Sequence, residues 1–274
     1  MTMPSFALRH QRATACLIVG ATAFGAAFAQ PRPLPVQALE KRGVTIVGTL
    51  PNPGGLPAYA GYMGQEPMAL YLTPDGKHVI VGKLFDAEGR DQTSTALAKL
   101  VAKPMSDGPW RQLESSHWIA DGRNGARVVY VFTDPNCPYC SKLWSDARPW
   151  VAAGKVQLRH IIVGILTPTS AGKAAALLAD KDPAATLAAY EGRNAAAAAS
   201  AMASGRPRPL GDDGLKPLTN IAPAQQAQLQ ANEHLMASLG LQATPAIAWR
   251  DDTGALQVHE GLPEGGLAAI LGPH

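Results

Sequence analysis

The spacing of apolar positions changes several times along the chain, and each change marks an element. Val44-Thr45-Ile46-Val47, Met68 to Thr73 and Lys77 to Phe85 are short β-rich runs. Thr73-Pro74-Asp75-Gly76 joins the last two, with proline and glycine where a tight turn wants them. A short helical pattern, Val36 to Arg42, ends at Gly43, and the Gly/Pro-rich stretch Pro51 to Gly61 reads as a loop. Thr93 to Ala102 has helical character, with Thr93 or Ser94 available as cap and Pro104 expected to stop it. After Gly108-Pro109 comes a short aromatic-bearing stretch, Trp110 to Trp118. Val128 to Phe132 is continuously apolar, the mark of a strand buried on both faces. Thr133-Asp134-Pro135-Asn136 breaks it, and Cys137 opens a helix predicted to reach about Val151. Val156 to Val163 is a second apolar strand. Ala171 to Ala203 is Ala-rich and helical, a new helix starting at Asp182-Pro183, and the Ala195–Ala199 run within it reads as plain helix. A Pro/Gly loop from Arg206 to Pro217 precedes a helix over Ala224–Leu239. Strands at Ala246–Trp249 and Leu256–Glu260 and a helix over Glu264–Leu271 complete the chain.

The chain's 274 residues allow one large or two small domains. A net charge of +3, with no Lys/Arg-rich block, argues against nucleic acid as a partner. The first 29 residues change the picture more. Arg9, His10 and Arg12 precede a small-residue apolar stretch, Ala13 to Ala26, and Ala27-Phe28-Ala29 supplies an A-x-A cleavage site. The apolar stretch falls short of the roughly 20 residues that span a bilayer. The expectation is a signal peptide cleaved near Ala29 and an exported protein. Its removal takes away Arg9 and Arg12 and leaves a charge of +1.

Three cysteines minus Cys16 leave Cys137 and Cys140, spaced C-x-x-C. Disulfide exchange needs a thiolate, and a helix N-terminus supplies one with free backbone N–H groups and the positive end of a dipole. Cys137 is therefore expected as the low-pKa nucleophile. Cys140, one turn on, is expected to resolve the mixed disulfide by forming a Cys137–Cys140 disulfide. Pro138 stiffens the first turn, and Tyr139 is neutral. Zinc would need a second ligand pair, and the histidines are scattered. A structural disulfide over so short a loop would stabilise little. Haem attachment wants histidine where Ser141 stands. No metal and no cofactor are expected. Downstream, Thr244-Pro245 sits at a strand entry, where a cis bond would make a tight corner, although most X-Pro bonds are trans.

Phe132-Thr133-Asp134-Pro135-Asn136-Cys137-Pro138-Tyr139-Cys140, with Ala147 to Val151, Gly154 to Arg159, Lys181 to Ala184 and Thr244-Pro245-Ala246-Ile247, resembles the Dsb proteins of the bacterial periplasm, in particular the DsbC/DsbG family. Leu70 to His78 and Ser116-His117-Trp118 extend the likeness into the N-terminal half. The resemblance implies a mixed α+β and α/β architecture. A small β-rich dimerisation domain would occupy residues 30–91, a linker helix 92–107, and a thioredoxin-like catalytic domain with a helical insertion 108–274. It implies a V-shaped homodimer, misoxidised periplasmic proteins as substrates, some chaperone capacity, and a membrane reductase of the DsbD type as partner. Thr244 and Pro245 carry over as the cis-proline corner. A monomeric oxidase of the DsbA type and a chaperone with secondary redox activity remain as alternatives. The strand Val128–Phe132 carries no carboxylate to take the Cys140 proton. Asp134 is nearer, but an aspartate before proline in a loop reads first as a turn former.

Overall fold

The computed structural model describes residues 31–273 apart from 53 and 206. The signal segment, its cleavage site and Cys16 lie outside the described residues.

The N-terminal unit is a four-stranded antiparallel meander, β1 (Thr45–Thr49), β2 (Ala58–Met63), β3 (Glu66–Leu72) and β4 (Val79–Val81), in that spatial order, preceded by helix α1 (Leu34–Glu40). One face meets Val36 of α1 through Val44, Ile46 and Leu70. The other, with Ala58, Ala60 and Tyr71, is covered by Leu97 and Val101 of helix α2. Strand β2 falls where a loop was expected. Its inward residues are the small Ala58 and Ala60, which leave little apolar signal to read. Gly61 is fixed by close approach, because a Cβ there would lie 2.7 Å from the Thr45 carbonyl oxygen.

Helix α2 runs over Ser94–Ser115 without stopping at Pro104. Pro104 and Pro109 each withhold one N–H and leave the carbonyls of Leu100 and Met105 without that helical donor, a cost of about 3 kcal/mol per proline. Tertiary contacts offset it. Val101 and Leu113 are buried on opposite units, Ser106 Oγ accepts from Leu256 N at 2.7 Å, and Arg250 Nη2 donates to Asp107 at 2.7 Å. The helix is thus anchored to both halves rather than ending between them.

The C-terminal unit is a five-stranded sheet in the order β5 (Trp118–Asp121), β7 (Val156–Ile162), β6 (Arg127–Thr133), β8 (Ala246–Arg250), β9 (Leu256–Glu260). Strands β6 and β7 are parallel and the other pairs antiparallel. Along β6, Val129 and Val131 face one core with Leu143, Trp150 and Ile270, while Tyr130 and Phe132 face another with Leu113, Leu235 and Met236. The continuous apolar run reflects burial on both sides. The helix expected from Cys137 to Val151 is two helices, α3 (Pro138–Asp146) and α4 (Arg148–Ala152). Pro149 cannot donate into a continuing helix, so the axis breaks at Ala147. Between β7 and β8 lie α5 (Ser170–Ala179), α6 (Pro183–Ala203) and α7 (Pro223–Ser238), and the Ala195–Ala199 run is helical. Asp182 caps α6 by accepting from Ala185 N. The last helix, α8, covers only Ala268–Leu271. Glycines 265 and 266 before it adopt positive φ, which ends any earlier start.

Candidate active site

The site lies where β6 ends and α3 begins. Asp134 is fully buried, and its carboxylate accepts from Asn136 N, Ser170 Oγ, Ile165 N and Leu166 N at 2.8–2.9 Å. Four donors leave it holding the turn together. Pro135 O accepts from Tyr190 OH at 2.6 Å. The Asn136 amide donates to Thr167, Thr169 and Ser170, and its carbonyl Oδ1 accepts from Lys173 Nζ at 2.6 Å. Leu210 N then donates to Asn136 O. The three residues before Cys137 are therefore clamped by the helical insertion.

That clamp delivers Cys137 as the N-cap of α3, with Pro138 at the first helical position. The Cys137 side chain is almost wholly buried, and its thiol donates to Thr244 O at 3.2 Å. The Cys140 thiol, the Thr244 side chain and the backbone N–H groups of Cys140 and Tyr139 together draw the Cys137 pKa down to about 7 against the opposing effect of burial. Burial drives Cys140 the other way, well above its ordinary value, reinforced by Cys137 and by the charge of Glu191. Both cysteines are free thiols. The Thr244–Pro245 bond is cis, and Thr244 Oγ1 is buried with no hydrogen-bond partner while Cys137 is a thiol. A thiolate at Cys137 is the acceptor this hydroxyl lacks.

A groove of about 380 Å³ opens onto Cys137. It is lined by Pro138, Tyr139, Ile165 and Leu166 together with Pro207, Pro209 and Thr244. Tyr139, Ile165 and Leu166 are exposed apolar side chains there. Lys173, itself wholly buried, fixes the Pro-rich loop by donating to Gly211 O at 2.5 Å and pairing with Asp212 at 3.1 Å.

The sequence-predicted residues Cys137, Pro138, Tyr139, Cys140, Thr244 and Pro245 meet in one place. Sequence reading missed the clamp residues Ser170, Lys173 and Tyr190, and also Glu191. The last is a buried carboxylate that accepts a hydrogen bond from Ser141 Oγ. Leu187, Tyr190, Glu191 and Ala198 share the buried stripe of α6, and a carboxylate on that stripe was the available signal.

A thioredoxin-like domain model matches residues 120–270. The chain is 47% identical over 247 residues to the thiol:disulfide interchange protein DsbG of Pseudomonas aeruginosa, covering 89% of this chain and 90% of that one. It is 43% identical over 239 residues to DsbG of Escherichia coli K12, covering 87% and 90%. Against DsbC of the same E. coli strain the match drops to 29% over 126 residues, 46% of this chain and 49% of the relative. The likeness to DsbG runs through both halves of the molecule, and on these grounds the chain belongs to the DsbG family of thiol:disulfide interchange proteins.

Proposed function

We propose that this enzyme reduces and isomerises disulfides of exported proteins in the periplasm, with Cys137 as nucleophile and Cys140 as resolving cysteine. The opposed shifts of the two thiols carry this reading, since only Cys137 is poised to ionise near neutral pH. The Cys137 thiolate attacks one sulfur of a client disulfide. A Cys137–client bond forms, and the other client sulfur leaves as a thiolate. If that or another client thiolate attacks the mixed disulfide, Cys137 is regenerated and the client is isomerised. If Cys140 attacks Cys137 Sγ instead, the client leaves reduced and the Cys137–Cys140 disulfide remains. A membrane reductase of the DsbD type then returns two electrons.

Thr244 supports the first step, because its hydroxyl donates to the thiolate, while the Pro245 corner presents backbone to a client segment lying in the groove. The N-terminal unit supports a homodimer: β4 is a three-residue edge strand, and Ile80 and Val81 on it and Phe85 just beyond it are exposed. Among the described residues no helix is long and apolar enough to cross a membrane.

The direct test is trapping in cells. Cys140→Ser should accumulate mixed disulfides with exported proteins, visible as reductant-sensitive bands, and Cys137→Ser should accumulate none. Bands of equal strength from the Cys137 variant would sink the assignment of roles. The resting pair should be mainly reduced in the periplasm; an oxidised pair would point to an oxidase.

A further inference from the structure

The Cys137 groove carries one feature that the thiol chemistry does not use. Apart from Cys137 itself, the described residues that line it are apolar or uncharged with one exception, the cation Arg208. Arg208 is exposed, and no hydrogen bond or ion pair among the described residues engages its guanidinium. Acids that could neutralise it are committed elsewhere. Asp212 pairs with the buried Lys173 at 3.1 Å, and Glu260 accepts from the backbone N–H groups of Gln242 and Ala243 on the groove.

The backbone that presents Arg208 is stiff. Pro207 and Pro209 flank it, so two φ angles are fixed, and Arg208, as a residue before proline, is kept out of the helical region. The next two residues are pinned: Leu210 N donates to Asn136 O at 2.9 Å, and Gly211 O accepts from Lys173 Nζ at 2.5 Å. A cation on a segment already ordered gives up little backbone freedom when it meets a ligand. Tyr139, Ile165 and Leu166 supply the rest of the pattern, being large apolar side chains left exposed at the same groove. They gain by covering an apolar side chain brought in by a ligand. A segment seated there thus meets apolar surface and one unpaired positive charge.

We propose that Arg208 is a specificity-determining residue, selecting client segments in which a carboxylate and a large apolar side chain flank the reactive cysteine. The inference rests on Cys137 attacking the client. In that step the Cys137 thiolate attacks the client sulfur, a Cys137–client bond forms, and the other half of the client disulfide leaves as a thiolate. Arg208 takes no part in the bond exchange. Its guanidinium pairs with the client carboxylate while the apolar side chain lies against Ile165 and Leu166, and the two contacts hold the client sulfur at Cys137. A basic flank is turned away by the same charge, so the groove discriminates by repulsion as well as attraction. The site is open to solvent, and the effect is one of severalfold preference rather than of absolute choice.

The test uses the full mature chain, reduced, and three short peptides, each with one cysteine held as a mixed disulfide with pyridine-2-thiol. That leaving group is neutral and absorbs on release, and its departure reports attack of Cys137 on the peptide sulfur. The peptides share a leucine on one side of the cysteine and carry aspartate, asparagine or lysine on the other, each made in both orders. With the native chain the aspartate peptide should react about two- to fivefold faster than the asparagine peptide, and the lysine peptide slower by a similar factor. The spread should shrink in 1 M salt, where the Debye length is about 3 Å. Arg208→Gln should bring the three rates together, and Arg208→Glu should reverse their order. Ratios between peptides cancel any effect of either substitution on the Cys137 thiol itself, and a purely structural role for Arg208 would not reverse them. Equal rates in the native chain, or an order that Arg208→Glu leaves unchanged, overturn the proposal while Cys137 keeps its role. Release that persists at the native rate in Cys137→Ser would instead remove the nucleophile, and the proposal with it.

Discussion

Thr244 shows how one atom can tune a thiol. Its hydroxyl is buried and lacks a partner as long as Cys137 carries its proton, so ionisation of Cys137 satisfies a donor that is otherwise stranded. A hydrogen bond to a charged group is worth about 1.5–3 kcal/mol, or about one to two pKa units. Thr244→Val should raise the Cys137 pKa from about 7 by about one unit, read from alkylation rate against pH, with little loss of fold. A titration curve superimposable on the native one would remove Thr244 from the account. Glu191 offers a second residue-scale test. Its carboxyl rises from an ordinary 4.5 to about 7 on folding. Below pH 4.5 it is protonated in both states and costs nothing. Between those values the unfolded chain releases the proton and the native one keeps it, so stability falls as pH rises and then levels above 7. Gln at this position stays neutral throughout. Glu191→Gln should match the native protein in urea titrations near pH 4 and exceed it by about 2–3 kcal/mol at pH 8. Asp121, whose pKa is lowered, acts in both proteins alike and cancels. Cys137 and Cys140 were legible in their C-x-x-C spacing, and Thr244 only through a proline at a strand entry taken with the family resemblance. Glu191 and Lys173 were not, because their meaning depends on which way an Ala-rich helix turns, and alanine on every side hides that.

At the scale of elements, the insertion between β7 and β8 acts as a clamp on the active-site turn. Lys173 is its pivot: one buried ammonium reaches Asn136 Oδ1, Gly211 O and Asp212. Lys173→Met keeps much of the volume but strands those acceptors. It should cost about 3 kcal/mol of stability and loosen the loop from Pro207 to Gly211. Leu210 N on that loop donates to Asn136 O, so its amide should exchange with deuterium well faster in the variant than in the native protein. Equal rates of exchange would mean the loop is held by something else. Element boundaries were the least readable part of the chain. Strand β2 was hidden by Ala58, Ala60 and Gly61, which fit a tightly paired strand without advertising it. Helix α2 carried two prolines that local rules take as stops, and only contacts from both units explain its passage through them. The long apolar strands β6 and β7 were readable at once, since burial on both faces leaves no polar positions to confuse the pattern.

The whole molecule is two sheets held apart by one helix. Helix α2 has 22 residues, about 33 Å of rise, and its second half is bound to β8 through Arg250–Asp107 and to β9 through Leu256 N to Ser106 Oγ. The small sheet therefore cannot fold back on the groove without breaking those contacts, and its own outer strand must be covered in another way. Strand β4 is three residues long. Ile80 and Val81 upon it are 56% and 46% exposed, and Phe85 just beyond is 56% exposed. A unit of roughly this size has little core to spare, and an open apolar edge invites a second copy. That two-unit plan was visible in the sequence through the change from short β runs to long buried strands, although the reach of the connector was not. Sedimentation of the mature chain at about ten micromolar should give a dimer, a concentration at which a working interface stays closed. Ile80→Asp with Val81→Lys should give a monomer that still reduces small disulfides at the native rate, because no residue of that edge lines the groove at Cys137. The same variant should lose most of its ability to recover activity from a scrambled, multiply disulfide-bonded protein, since one arm can no longer hold the client while the other attacks. A native chain that sediments as a monomer would end the dimer. A monomeric variant that still unscrambles at full rate would show that one site suffices.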